Sequence, residues 1–116
     1  MADREDLEIL SVSTTVATPT EAKALAARLV ESRLVACAQI GPGLRSHYHW
    51  EGEVRDEAEV LIILKTLPAA LPALEAFLAE HHPYDLPQML SIRMQASASY
   101  AQWVRDEVRL PPGAPT

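Results

Sequence analysis

Apolar positions along the chain change period several times, and each change marks the edge of an element. Leu7-Glu8-Ile9-Leu10-Ser11-Val12-Ser13-Thr14-Thr15-Val16 is rich in β-branched residues and ends at a break, which predicts a first strand. In the break, Thr18 can cap, Pro19 suits the first helical position and Glu21 completes a capping box. Ala22, Leu25, Ala26, Leu29 and Val30 then recur at helical spacing as one apolar stripe. The next run, Leu34-Val35-Ala36-Cys37-Ala38-Gln39-Ile40, is apolar on nearly both sides, so a second strand there needs cover on each face. Gly41-Pro42-Gly43 interrupts it as a bulge or bend. From Leu44 the chain alternates, and Glu51-Gly52 suits a tight hairpin turn. A return strand over Glu53 to Thr66 is acidic as far as Glu59 and wholly apolar over Val60-Leu61-Ile62-Ile63-Leu64. The outer half of this hairpin is expected in solvent and its base in a core.

A second helix is predicted over Ala69 to His82, with Leu71, Leu74, Phe77 and Leu78 inward and Pro72 in its first turn. Gln88-Met89-Leu90-Ser91-Ile92-Arg93-Met94 reads as a fourth strand. Ser99 and Gln102 suggest another capping box, opening a short third helix with Tyr100, Trp103 and Val104 inward. The order β-α-β-β-α-β plus a terminal helix is the split βαβ, or ferredoxin-like, arrangement of the α+β class. Residues 1–116 are read as one domain, with 1–6 and 110–116 as frayed tails. Both main helices on one face of a four-stranded sheet leave the other face bare, and its apolar residues call for a homo-oligomer. The long hairpin is the reaching arm, with its edge free to join a neighbouring sheet.

Charge and composition narrow the function. A formal net charge of −6 over 116 residues argues against a nucleic-acid backbone as partner. No stretch approaches the ~18 apolar residues of a membrane span, and the acidic start Met1-Ala2-Asp3-Arg4-Glu5-Asp6 is wrong for a signal peptide, so a cytoplasmic location is expected. A lone cysteine, Cys37, fits a reducing compartment.

The run His81-His82-Pro83-Tyr84-Asp85-Leu86-Pro87 carries the most chemistry. Two imidazoles end a helix before a proline that cannot continue it. They either cap the corner, because cationic or donor side chains suit a helix C-terminus, or offer borderline ligands to a metal ion. Cys37 is read as a small buried hydrophobe, with a soft ligand, redox thiol or nucleophile as the alternative. His47 and His49 share a strand face and either stand solvated on the arm or hold one ion. Tyr48, Trp50, Tyr84 and Trp103 are read as interface or core anchors. Lys65 either pairs near Gly41-Pro42-Gly43 or Glu59, or meets an anionic ligand between subunits. Asp56, Glu57 and Glu59 are a solvated face first and a weak cation site second.

Several of these segments together resemble one family. Thr18-Pro19-Thr20-Glu21-Ala22, Leu34-Val35-Ala36-Cys37, Tyr48-His49-Trp50-Glu51-Gly52, Ile63-Leu64-Lys65-Thr66, His82-Pro83-Tyr84 with Pro87, and Tyr100-Ala101-Gln102-Trp103 stand in the order of the CutA divalent-cation tolerance family. The resemblance spans about Leu10 to Val108. It implies a thermally robust homotrimer of ferredoxin-like subunits, similar in shape to the PII signalling proteins and associated with tolerance to copper and other divalent cations. It implies no reaction and no catalytic residue. By the same resemblance His81 and His82 are the metal ligands, for Cu(II) or another divalent cation. Where some relatives carry a cysteine at the end of the first strand, this chain has Val16, so a soft thiolate ligand for Cu(I) is missing there. The alternative function is a PII-like signalling or scaffold trimer that takes a small ligand or partner protein at subunit clefts.

Overall fold

The computed structural model describes residues 5–112. Its elements are β1 (Glu8–Val16), α1 (Pro19–Glu31), β2 (Cys37–Trp50), β3 (Glu53–Thr66), α2 (Leu71–His81), β4 (Leu90–Gln95) and α3 (Ala98–Glu107). The strands form one antiparallel sheet in the order β2-β3-β1-β4, so the expected ferredoxin-like arrangement is present. Of the two ends expected to fray, residues 1–4 and 113–116 lie outside the described residues. Glu5–Leu7 forms a 3-10 turn whose Leu7 carbonyl accepts from the Ala96 N–H at 2.8 Å, and Leu110 packs on buried residues.

Local chemistry sets the helix boundaries. The Thr18 hydroxyl accepts from the Glu21 N–H at 3.1 Å and Pro19 opens α1, as its cap signature predicts. Ala22, Leu25, Ala26 and Leu29 are buried, whereas Val30 lies outside the stripe at 43% exposure. A 3-10 turn over Pro68–Ala70 precedes α2, which places Pro72 in the first α-helical turn, where its missing N–H costs little. α3 is capped by Ser97, not Ser99: the Ser97 hydroxyl accepts from the Tyr100 N–H at 3.3 Å. The side chains it buries are Ala101 and Val104, while Tyr100 and Trp103 stay exposed. The small residues face inward because α3 lies against Ile9 and Ala70, leaving no room for rings.

One face of the sheet carries the main core. Leu10, Val12 and Val16 of β1 and Val60, Ile62 and Leu64 of β3 pack beneath Leu25 and Leu29 of α1 and Leu74 and Leu78 of α2. The other face is only partly bare, because α3 closes its Ile9 end. Beyond α3, Leu90, Ile92 and Met94 of β4 stay exposed at 58%, 64% and 37%. Their partners on β1 are Ser13, Ser11 and Ile9, so all three side chains point away from α1 and α2.

Pairing between β1 and β3 ends at Val16 and Val60, yet the β2–β3 ladder continues from Leu44 opposite Glu59 to Trp50 opposite Glu53. Residues 44–59 therefore leave the sheet as a two-stranded arm, and the molecule measures 52 × 27 × 25 Å. The expected break at Gly41-Pro42-Gly43 is a register shift inside β2, between Ile40 and Gly43, at the root of the arm. Glu51 and Gly52 turn the tip with φ of 51° and 78°, the left-handed pair that a tight hairpin needs.

Candidate functional site

The two adjacent histidines do not face the same space. His81 ends α2 and its Nδ1 accepts from Arg28 Nη1 at 2.9 Å, while its ring tilts against Phe77 at a centroid distance of 4.3 Å. A guanidinium only donates, so the neutral ring keeps its proton on Nε2, 3.9 Å from a Glu80 carboxylate oxygen. His82 leaves the helix with extended backbone geometry and turns inward to 7% exposure. Its Nδ1 accepts from the Tyr84 N–H at 3.1 Å, so Nε2 carries the proton and donates to the Thr15 carbonyl at 3.0 Å; the Thr14 hydroxyl lies 3.0 Å from the same nitrogen. Burial holds this imidazole below its ordinary pKa, against the Thr15 carbonyl and the fields of Glu21 and Glu59.

Both rings therefore begin with their nitrogens engaged. A metal on His81 Nε2 requires the proton to move to Nδ1, which expels the Arg28 donor, and a metal on His82 requires loss of a buried hydrogen bond. As they stand the two imidazoles are separate rather than a chelating pair. Among the described residues, no three His, Cys, Asp or Glu side chains come close enough to hold a metal ion.

Sequence reasoning placed Glu59 on a solvated face, but it is 8% exposed. The Tyr84 hydroxyl donates to its carboxylate at 2.8 Å, and the Ser46 and Thr15 hydroxyls stand beside it. Burial raises the Glu59 pKa, and these hydroxyls together outweigh it, leaving the carboxyl below its ordinary value. The Tyr84 phenol is pushed far upward by its own burial and by the carboxylate it bonds. Nothing local in the sequence marks Glu59; its partners come from three separate segments.

Between the arm and residues 83–90 lies an open cleft of about 1010 Å³, walled by Tyr48, Trp50, Arg55, Glu57, Glu59 and Tyr84. It is open and lined by both polar and apolar groups, and its Tyr48 hydroxyl donates to Glu57 at 3.0 Å. The Arg55 Nε is a buried donor without a partner among the described residues. Tyr84 belongs to this cleft, but Lys65 does not: its ammonium donates to Gln39 at 2.8 Å, a partner the sequence reading did not consider. His47 and His49 are exposed on the arm, opposite Asp56 and Val54, and Asp56 is bonded by Arg45 at 2.7 Å. Cys37 opens β2 rather than lying mid-strand and is half-buried, and no imidazole among the described residues bonds its thiol. Val16 is fully buried in the main core.

A four-stranded ferredoxin-like sheet with a projecting arm and a histidine corner defines the class, and comparison with known proteins places the chain within it. Residues 10–107 match the family described as CutA1 divalent ion tolerance protein. The divalent-cation tolerance protein CutA of Thermus thermophilus is 38% identical over 93 residues, covering 79% of this chain and 90% of that protein. Human protein CutA is 38% identical over 85 residues, covering 72% of this chain; the chain spans about half (48%) of the human protein's length. The crystal structure of CutA1 from Oryza sativa superposes with a TM-score of 0.84 at 32% identity, covering 90% of this chain and 97% of that one. The chain belongs to the CutA1 divalent ion tolerance family. That family takes its name from a tolerance and not from a reaction.

Proposed function

We propose that this protein works in divalent-cation tolerance as a cytoplasmic homotrimer that meets an ion such as Cu(II) at the corner after α2. The observation that carries the assembly is the outward row Leu90, Ile92 and Met94 on β4, an apolar surface that a sister copy can cover. Metal contact begins at His81, the less buried histidine of the pair. His82 joins only when one of its ring hydrogen bonds, with the Tyr84 N–H or with the Thr15 carbonyl, is released. Native mass spectrometry of untagged protein tests the assembly, with three copies expected; a single copy at micromolar concentration overturns it. Calorimetric titration with Cu(II) tests the corner. Affinity should fall at least about tenfold in His81→Ala, the loss of one ligand, and rise with pH, because the metal competes with protons for imidazole nitrogens. Equal affinity in wild type and His81→Ala removes the site.

A second reading draws on the cleft. Its three aromatic walls and the presence of Tyr84 favour a PII-like role, in which a small ligand or partner protein seats between arm and corner. A ligand retained in the native spectrum and lost in Tyr84→Ala supports that role.

A further inference from the structure

We propose that His82, Tyr84 and Glu59 form a relay through which the corner after α2 sets the position of the β2–β3 arm. The two ends of this relay do not touch: among the described residues the His82 ring bonds to β1 and to Tyr84, and not to Glu59. Tyr84 is held twice, at its backbone by His82 Nδ1 and at its hydroxyl by Glu59, and its ring lies 5.1 Å from the imidazole.

The place where the relay meets the arm is specific. Glu59 is the last residue of β3 before the strand enters the sheet, since pairing with β1 begins at Val60. On the opposite strand the register shift between Ile40 and Gly43 lies at the same level, with Gly43 opposite Val60. The root of the arm thus has an irregular ladder on one strand and a latched carboxylate on the other. A bulge bends its strand and loosens the ladder, so the direction of the arm depends on whatever else is fixed there. That second constraint is Glu59. A buried carboxylate is costly unless its hydrogen bonds are made, so losing the Tyr84 hydroxyl leaves Glu59 with the Ser46 and Thr15 hydroxyls alone and draws water to the vacated lone pair. Admitting that water loosens the root of the arm.

The relay stands on these bonds alone. One extension rests on the metal reading: an ion that takes Nδ1 of His82 frees the Tyr84 N–H and is felt at the arm.

The test uses the full chain without metal and a conservative variant, Tyr84→Phe, which deletes one hydroxyl and keeps the ring. Amide hydrogen exchange over residues 44–47 and 56–59 should rise at least about tenfold, the loss of one bond to a charged carboxylate. In the same variant the His82 Nε2–H resonance, sheltered in the wild type by the Thr15 carbonyl, should broaden. Tyr48→Phe removes a hydroxyl bonded to Glu57 within the arm and should leave that resonance unchanged. Wild-type arm exchange in Tyr84→Phe overturns the latch. Faster arm exchange with an unaltered His82 resonance overturns the relay, because the arm is then latched but not coupled to the corner. His82→Asn keeps an acceptor near the Nδ1 position and should hold the arm closer to wild type than His82→Gln. Should His82→Gln fail to fold, the two Tyr84→Phe readouts still decide the proposal.

Discussion

Burial acts on two neighbouring side chains with opposite outcomes for charge. His82 is kept neutral mainly because desolvation disfavours the imidazolium, while Glu59 stays charged because hydroxyls offset its own desolvation. Each native pKa lies below its ordinary value, 6.5 for His82 and 4.5 for Glu59. For such groups the unfolded chain binds the proton first as pH falls, so the stabilising contribution is complete above the ordinary value and is lost below it. Thermal unfolding followed by circular dichroism should therefore show Tm declining from about pH 6.5 downward, with a second loss below about pH 4.5. His82→Asn should flatten the first decline, whatever it does to Tm at neutral pH. An identical slope in the variant would assign that decline to other groups.

Short-range chemistry was readable wherever its partners are close in sequence. Thr18, Pro19 and Glu21 lie within one turn, and the cap they predict is present; Thr18→Ala should cost about 1 kcal/mol in denaturant melts. Glu51-Gly52 is another local signal. Its first residue is a non-glycine in the left-handed region, so Glu51→Asn, which builds the preferred Asn-Gly turn, should raise stability by roughly 0.5 kcal/mol. An unchanged or lower denaturation midpoint would mean that the Glu51 side chain does more than turn the chain. α3 shows where local reading fails. Ser97 and Ser99 both precede a helical pattern, and both Tyr100/Trp103 and Ala101/Val104 make an inward stripe. The distance of approach to Ile9 decides between them, and that is a tertiary quantity. The histidine pair fails for the same reason. Adjacent positions at a helix end point in different directions, and the β1 partners of His82, Thr15 and Thr14, are 67 and 68 residues away.

At the scale of the molecule, the uncovered face follows from element order alone, because two helices cannot cover both sides of four strands. What element order omits is that α3 folds back over the Ile9 end, narrowing the uncovered part to β4 and the strands beside it. This makes the proposed assembly testable at single positions. Ile92 is 64% exposed and belongs to neither core cluster, so Ile92→Lys should leave the far-UV spectrum unchanged. Within a shared interface the same substitution forfeits about 1.5–3 kcal/mol of apolar burial per copy and adds the cost of desolvating an ammonium. In a closed ring every copy contributes that loss, so light scattering at micromolar concentration should show the variant as single subunits where the wild type shows three. Arg93, the next residue on β4, points to the opposite face and pairs with Glu8 at 2.5 Å, so Arg93→Ala serves as the control that keeps the assembly. If Ile92→Lys also keeps it, contact between copies does not involve this face of β4, and the arm becomes the surface to probe.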